Sequence, residues 1–288
     1  MGHPLAPGSP LLDPYVVPEL PEVETIRCDL LPLVRGRTIT EAWVSPNAPR
    51  LIQLLPPDEF CRQIAGRRVE DIHRRGKYLL FRLDDGLLWG VHLRMTGRLL
   101  HDANACPEGP YLRASFRLDD GAWLCFVDLR KFGAMWLVDD ESLVTGRLGP
   151  EPLGEEFTPA YLYSLLRRRS APVKAVLLDQ SAIAGIGNIY ADEALFHARV
   201  NPTRAANSLS KQRAARLREG IREALELALG DRGSSFRDYL DPSGREGGHH
   251  LKVRVFRRTA EPCYVCGTEI KRVKVAGRST HYCPQCQK

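Results

Sequence analysis

The chain has 288 residues, of which 43% are hydrophobic, and its 41 Lys and Arg residues outnumber 35 Asp and Glu residues to give a net charge of +6. This composition excludes a globally disordered chain, and no apolar run approaches the roughly 18 residues of a membrane-spanning helix. The N-terminus lacks a secretory signal pattern, so we expect a soluble, cytoplasmic protein of about two domains whose cysteines are metal ligands or thiols.

The N-terminal segment, residues 1–17, is rich in proline and glycine and has no helical or strand periodicity, which indicates a tail. A helix is predicted after it, because Pro18 and Pro21 suit a first helical turn and acidic residues there favour the positive end of the helix dipole. Apolar residues then recur at helical spacing as far as Val34, and Gly36 is expected to end the helix.

Residues 37–140 are predicted to form mostly strands, which favours a two-sheet sandwich or barrel. The segments with the strongest strand pattern are residues 77–83, 87–93, 112–118 and 123–127. Farther along, apolar residues recur at helical spacing over residues 159–169, 188–198 and 211–229. We therefore expect an α+β chain divided into a tail (1–17), an N-terminal β-sandwich domain (18–146), a linker (147–157), a helical domain (158–240) and a basic C-terminal segment (241–288).

Positive charge is concentrated at the C-terminus, where residues 245–288 hold ten Lys and Arg against three Asp and Glu. Such an excess favours a polyanionic partner such as nucleic acid, and a solvated charged surface is the alternative. Two Cys-x2-Cys pairs in this segment, Cys263 with Cys266 and Cys283 with Cys286, have the spacing of a tetrahedral zinc site. Four thiolates close the coordination sphere, so we expect one structural Zn²⁺, with free thiols as the alternative. The other four cysteines are expected to be separate buried thiols.

Two glycines, Gly185 and Gly187, precede the predicted helix that starts at Asn188. Glycine lets the backbone approach a ligand closely, and the N–H groups at a helix start can bind an anion. The segment therefore predicts either a phosphate site or a structural turn, and its spacing does not match a dinucleotide-binding fingerprint.

Seven motifs, taken in order from Pro18 onward, resemble those of the formamidopyrimidine-DNA glycosylases, bacterial enzymes that remove oxidised purines from DNA. The motifs are PELPEVE (18–24), RGKYLL (75–80), HLRMTG (92–97), DLRKFG (128–133), GPEPL (149–153), GIGNIYADE (185–193) and CPQCQK (283–288). The resemblance implies a β-sandwich with a leading helix, a helix–two-turns–helix domain and a zinc finger, with damaged double-stranded DNA in the cleft between the two parts. It also implies a DNA repair enzyme that works as a monomer, without a membrane partner.

The resemblance implies a catalytic set as well. In this family the secondary amine of an N-terminal proline attacks C1′ of the damaged nucleotide, expels the base and forms a Schiff base, after which β- and δ-elimination cut the strand. The matching nucleophile is Pro18, and Glu19 stands at the position of the proton-handling carboxylate. Lys77 matches the proton donor for β-elimination, and Arg278 matches the arginine assigned to δ-elimination and phosphate binding.

DNA-contacting positions follow from the same resemblance. Met95, Arg130 and Phe132 match the side chains that fill the gap left by a flipped-out nucleotide, which favours an oxidised-purine enzyme over its relative endonuclease VIII. Tyr111 stands where the family often has a DNA-contacting histidine, and a base-gripping loop is expected near residues 235–250. The remaining matches to DNA-contacting positions are His92, Arg169, Lys174 and Asn188.

One departure from the family pattern concerns the nucleophile. Seventeen residues precede Pro18, and an internal proline nitrogen is an amide whose lone pair is delocalised. We expect that residues 1–17 are an artefact of gene-start assignment, because a GTG start codon at Val17 and removal of the initiator methionine would leave Pro18 first. Proteolytic cleavage after Val17 is the alternative way to free Pro18. The alternative functions are a DNA-binding module without catalysis and an endonuclease VIII-like enzyme for oxidised pyrimidines.

Overall fold

The computed structural model of the protein describes residues 17–107, 109–234 and 248–288. The tail up to residue 16 and most of the expected base-gripping loop, 235–247, lie outside these ranges. The strands are β1 (Ile39–Val44), β2 (Val69–Arg75), β3 (Tyr78–Leu83), β4 (Leu88–His92), β5 (Gly97–Asp102), β6 (Leu112–Leu118), β7 (Trp123–Asp128), β8 (Ala134–Val138), β9 (Lys271–Val275) and β10 (Arg278–Tyr282). The helices are α1 (Leu20–Val34), α2 (Pro57–Ile64), α3 (Ser142–Thr145), α4 (Pro159–Arg167), α5 (Val173–Leu178), α6 (Asn188–His197) and α7 (Lys211–Gly230). Among the described residues, no helix has the length and apolar character needed to cross a bilayer.

The first eight strands form two antiparallel sheets, with strand orders β1-β6-β7-β5 and β2-β3-β4-β8. The sheets share one apolar core, so the predicted sandwich and the α+β class are confirmed. Aromatic side chains fill the middle of this core, where the ring of Trp89 lies 4.5 Å from that of Phe81 and 4.4 Å from that of Phe116. Buried rings of this size supply much of the apolar area that stabilises such a core.

Helix α1 joins the sandwich to the helical part of the chain, because its two ends are buried in different cores. Leu20, in its first turn, packs in the core formed by α4 to α7, whereas Val23, Ile26 and Leu30 pack in the sandwich core. Pro18 precedes the N-cap of this helix, so the prediction that it belongs to the first turn was wrong. The N-cap residue that follows it has an extended backbone, which keeps Pro18 outside the helical hydrogen-bond pattern.

Helix α6 is the central element of the helical part and packs closely against α7. A Cβ at Gly220 would lie only 2.7 Å from the carbonyl oxygen of Ala194, so glycine is needed for this approach. Beyond α7, the segments that flank the hairpin of β9 and β10 form a small separate core of Val255, Ile270 and two cysteines with Phe196 of α6. Strand β10 itself hydrogen-bonds to Asn188 and Asp192, in the N-terminal half of α6.

Two of the cysteines expected to be separate thiols form a disulfide. Cys106, in the loop between β5 and β6, is bonded to Cys125 on β7, with 5.6 Å between the two Cα atoms. The pairing could not be predicted from their separation of 19 residues, because only the folded sheet brings the loop back over β7. Cys28 is exposed and Cys61 is half-buried, so the expectation of buried thiols was also wrong for these two.

Candidate active site and DNA interface

The carboxylate of Glu19 lies against the N-terminus of α6. Its Oε2 accepts a hydrogen bond of 2.8 Å from the N–H of Gly187, and its Oε1 accepts one of 2.9 Å from the N–H of Ile189. The N–H groups of a first helical turn have no partner within their own helix and favour an anion. A Cβ at Gly187 would lie 2.3 Å from Cδ of Glu19, so the glycine is required. The anion at this turn is therefore a side chain of the protein itself, a possibility that the sequence analysis did not consider.

Burial changes the acid–base behaviour of Glu19. Loss of solvent raises the pKa of this carboxyl to about 7, while the charge of Lys77 and the hydrogen bonds from α6 act in the opposite direction. Glu22, also fully buried, accepts hydrogen bonds from the N–H of Glu19 at 2.9 Å and from the hydroxyl of Tyr190 at 2.6 Å. Desolvation raises the pKa of Glu22 as well. Glu19 can therefore exchange a proton near neutral pH.

Lys77 lies in the turn between β2 and β3 and faces the same cavity. Burial is the main cause that lowers the pKa of its ammonium, and the charge of Glu19 opposes this. The turn itself is held by Glu151, which accepts hydrogen bonds of 2.6 Å from the N–H of Gly76 and 3.0 Å from the guanidinium of Arg75. The GPEPL motif contains Glu151, for which the sequence predicted no role. Glu151 is 75 residues from Gly76 along the chain, and only the fold brings the two together.

A cavity of about 340 Å³ opens beside Glu19, between the sandwich and the helical part. His92 is buried at its wall and accepts a hydrogen bond of 2.9 Å at Nδ1 from the N–H of Arg94. Burial keeps the pKa of His92 well below its usual value, so the ring is neutral. Three lining cations, Arg94, Arg257 and Arg272, received no individual role from the sequence. The sequence-predicted site residues that line the cavity are Glu19, Lys77, His92, Met95, Asn188 and Arg278, and Val17 lines it as well.

The three side chains predicted to fill the gap in DNA lie on two neighbouring loops. Asp128 accepts hydrogen bonds from the N–H of Arg130 at 3.1 Å and from the N–H of Gly133 at 2.8 Å, which shapes the loop between β7 and β8. The hydroxyl of Thr96 also donates to Asp128, and this contact ties the loop that carries Met95 to the first one. The guanidinium of Arg130 stacks 4.8 Å from the ring centre of Phe132, which is 50% exposed.

Three predicted DNA-contacting residues lie apart from the cavity lining. Tyr111 is 47% exposed at the start of β6, and its carbonyl oxygen accepts a hydrogen bond from Asp128. Arg169 is exposed beyond α4 and pairs with Asp179 at 3.4 Å. The side chain of Lys174 is fully buried, and its ammonium donates hydrogen bonds to Ser279 and Thr280 of the finger hairpin.

The four cysteines of the C-terminal segment converge as a metal site requires. Their Sγ atoms all lie within 4.8 Å of one another, and measured pairs are separated by 3.5 to 3.9 Å. A tetrahedral Zn²⁺ with Zn–S bonds of ~2.3 Å needs sulfur atoms about 3.8 Å apart, so the site fits zinc. Backbone N–H groups of Val265 and Cys286 point at Cys263 and Cys283, which stabilises thiolates. The set closes the coordination sphere, and Cys263, Cys266, Cys283 and Cys286 would hold one structural ion.

We expect that Cys283→Ser, or removal of the metal by a chelator, lowers affinity for damaged duplex DNA by at least about tenfold. The hairpin of β9 and β10 has little core besides the metal, so loss of zinc unfolds the finger. Fluorescence anisotropy with a duplex containing a stable abasic analogue measures the affinity, and metal analysis verifies the loss of zinc. The exposed Cys28→Ser serves as the control and should retain both zinc and affinity. Unchanged affinity in a zinc-free protein would contradict the expected role of the finger.

Three family models match successive parts of the chain. They are the formamidopyrimidine-DNA glycosylase N-terminal domain over residues 17–135, the H2TH domain of the same enzyme over residues 148–239, and a zinc finger found in FPG and IleRS over residues 260–288. Together the three matches cover most of the chain, in the order that the motifs predicted.

The chain is also similar over nearly its whole length to individual formamidopyrimidine-DNA glycosylases. The formamidopyrimidine-DNA glycosylases of Heliobacterium modesticaldum and Chloroflexus aggregans are 46% and 45% identical to this chain over 94% of its length, covering 100% and 98% of their own. Among solved structures, Lactococcus lactis Fpg in complex with DNA containing an abasic site has a TM-score of 0.87 at 33% identity, and MutM (FPG) of Thermus thermophilus has 0.85 at 41%. Both matches cover 94% of this chain, and 99% and 98% of those chains.

Proposed function

The chain belongs to the formamidopyrimidine-DNA glycosylase family, and we propose that it is a base-excision repair enzyme for oxidised purines in duplex DNA. Its substrates are 8-oxoguanine and formamidopyrimidines, and it also cuts the strand as an abasic-site lyase. Lactococcus lactis Fpg has been solved with DNA containing an abasic site and with DNA containing N7-benzyl-Fapy-dG, which supports this substrate class. The observation that carries the proposal is the cavity beside Pro18, where a carboxyl with a pKa of about 7 faces a lysine. The enzyme would act in the cytoplasm on chromosomal DNA.

The reaction begins at the nitrogen of Pro18. Its lone pair forms a bond to C1′ of the damaged nucleotide, the glycosidic bond breaks, and the base leaves with its bonding electrons and receives a proton. A secondary amine can do this only when it is neutral, and α-amino groups have a pKa near ~8, so a useful fraction is neutral at working pH. The proline nitrogen then loses its proton, the C1′–O4′ bond breaks, and O4′ takes up a proton, which leaves an iminium. The iminium acidifies the C2′ protons, and two eliminations then expel the 3′ and 5′ phosphates.

Different side chains around the cavity would serve different steps of the reaction. Glu19 is adjacent to Pro18 and has a pKa of about 7, so its protonated form can give a proton to the base as it leaves. Lys77, whose pKa is lowered by burial, can move a proton during β-elimination. Arg278, on the finger, lines the cavity and would hold the phosphate that leaves in δ-elimination.

The DNA must be opened for this reaction, and the stacked pair of Arg130 and Phe132 suits that task. An aromatic ring that is half-exposed can insert between base steps, and Met95 can occupy the vacated space. The guanidinium of Arg130 can donate to the orphaned cytosine. Because all three residues are present, we favour oxidised purines over the oxidised pyrimidines of endonuclease VIII.

A DNA-binding protein without catalysis is the second candidate, and Val17 is the observation that favours it. Val17 lines the cavity, and its peptide bond removes the nucleophilic lone pair of Pro18. The match to the N-terminal family model begins at residue 17, next to Pro18, which supports a functional chain whose first residue is Pro18. Whether the Pro18 nitrogen is an amide or a free amine therefore distinguishes the DNA-binding protein from the enzyme.

Base release should depend on pH through Glu19. Between pH 6 and pH 8, we expect the rate of 8-oxoguanine release, divided by the rate of Schiff-base formation on an abasic duplex, to fall about tenfold. The protonated fraction of a carboxyl with a pKa of about 7 falls from about nine-tenths to about one-tenth over this range. Dividing by the abasic rate removes the protonation of Pro18, which affects both reactions. Single-turnover quench experiments give both rates.

The matched variant for this experiment is Glu19→Gln. It should lose base release but retain borohydride trapping on abasic DNA, where no base has to leave. A rate ratio that stays constant from pH 6 to pH 8 in the unaltered protein would argue against proton donation by Glu19.

Arg130→Ala should weaken cleavage of 8-oxoguanine opposite cytosine by about 1–3 kcal/mol, or roughly 5- to 150-fold, because the buried cytosine edge loses its hydrogen-bond partner. Cleavage rates on four duplexes that differ only in the opposing base measure the effect. Lys131→Ala removes the same charge from the same loop, so it is the control and should affect all four duplexes alike. Equal losses opposite all four bases in Arg130→Ala would count against the gap-filling assignment.

The nucleophile is tested by the N-terminus. Protein in which Pro18 is the first residue should form a borohydride-trapped complex with abasic DNA, whereas protein that retains Met1–Val17 should not, because its Pro18 nitrogen is an amide. Mass spectrometry of the trapped peptide identifies the modified residue. A trapped complex that forms equally well in the intact longer chain would rule out Pro18 as the nucleophile.

A further inference from the structure

A buried ion pair lies where the finger hairpin meets helices α5 and α6. The ammonium of Lys174, on α5, is 2.7 Å from Oδ1 of Asp192, on α6, and both side chains are 0% exposed. Burying two charges costs several kcal/mol for each ion unless their geometry and hydrogen bonds compensate. A pair of similar size made of apolar side chains would often be as stable, so stability alone does not explain this one.

The remaining hydrogen bonds of the pair all go to the finger hairpin. Lys174 also donates to the carbonyl oxygen of Ser279 at 3.0 Å and to the hydroxyl of Thr280 at 2.9 Å. Asp192, Ser279 and Thr280 thus surround the ammonium, the first as its ion-pair partner and the other two as hydrogen-bond acceptors. The second carboxylate oxygen of Asp192 accepts a hydrogen bond of 2.9 Å from the N–H of His281. Three consecutive residues of β10 are thus attached to the two helices through one ion pair.

Arg278 is the residue that immediately precedes this attached segment. It is the first residue of β10, it is exposed, and it lines the cavity that contains Glu19 and Lys77. A two-stranded hairpin is marginally stable alone, and the zinc cysteines lie beyond its other end. The metal therefore cannot by itself determine where the tip that carries Arg278 points relative to the cavity.

We propose that Asp192, together with Lys174, is a positioning residue for Arg278. The pair holds residues 279–281 against α5 and α6 and so directs the guanidinium of Arg278 at the phosphate that leaves in δ-elimination. Lys174 then acts on the protein and not on a DNA phosphate, because its ammonium is fully buried against Asp192 and the hairpin. This inference rests on the role of Arg278 given under the proposed function.

The test uses active protein with a free Pro18 amine and a duplex that contains an abasic site. In Asp192→Ala, we expect the ratio of δ- to β-elimination products to fall at least about fivefold, towards the ratio measured for Arg278→Ala. Borohydride trapping should stay within about twofold, because neither Lys174 nor Asp192 is among the described residues that line the cavity. Metal analysis should still find one zinc per chain. A general loss of structure would lower trapping and both products together.

Two further variants make the result specific. In the double variant Asp192→Ala with Arg278→Ala, the product ratio should equal that of Arg278→Ala alone, since Asp192 acts through Arg278. Glu223→Ala is the control, because Glu223 forms an ion pair with His197 at the opposite end of α6 and does not contact the hairpin. Its product ratio should be unchanged.

If Asp192→Ala loses its zinc, the inference is tested with Asp192→Asn instead. This variant keeps an acceptor for the N–H of His281 but removes the charge that faces Lys174. A lower product ratio in a zinc-loaded Asp192→Asn protein supports the inference, and an unchanged ratio overturns it. An unchanged ratio in Arg278→Ala overturns the assigned role of Arg278 instead, and with it the inference. Additive losses in the double variant would show that Asp192 acts on another group.

Discussion

The contact between the Glu19 carboxylate and the first turn of α6 is the interaction on which the rest of the structure depends. It places the start of α1 against the helical part, where Leu20 is buried, while the remainder of α1 is buried against the sandwich. The same contact removes water from the carboxyl and raises its pKa to about 7. One interaction thus fixes the position of Pro18 between the two parts and prepares its neighbour for proton transfer.

Other buried carboxylates repeat this arrangement around the cavity. In each case a carboxylate accepts hydrogen bonds from the backbone of a turn, a loop or a strand near the cavity or the finger. The carboxylate of Glu193 accepts three hydrogen bonds from the backbone N–H groups of residues 254–256, which fixes the segment before the finger in the same way. The further examples are Glu151 at Gly76, Asp128 at Arg130 and Gly133, and Asp192 at His281. A backbone turn held in this manner loses little additional entropy when DNA binds.

Local patterns in the sequence predicted the elements well where their physical cause is local. The strand at Leu112–Leu118 and the long helix from Lys211 follow from periodicity and from the N-cap at Ser210, whose side chain accepts a hydrogen bond from Arg213. The zinc ligands follow from spacing alone, because both Cys-x2-Cys turns are local and the metal supplies the long-range contact. The family resemblance was confirmed by matches to three family models in the predicted order.

The sequence by itself therefore determined the class of fold, the metal site and the family, since each depends on residues that are close together in the chain. Only the tertiary structure decided which charges meet. It showed that the anion at Gly187 is Glu19, that Lys174 pairs with Asp192 and donates to the finger, and that Cys106 is bonded to Cys125. These pairings join residues 18 to 168 positions apart, and the packing of complete sheets and helices selects the partners, so no local pattern in the sequence reveals them.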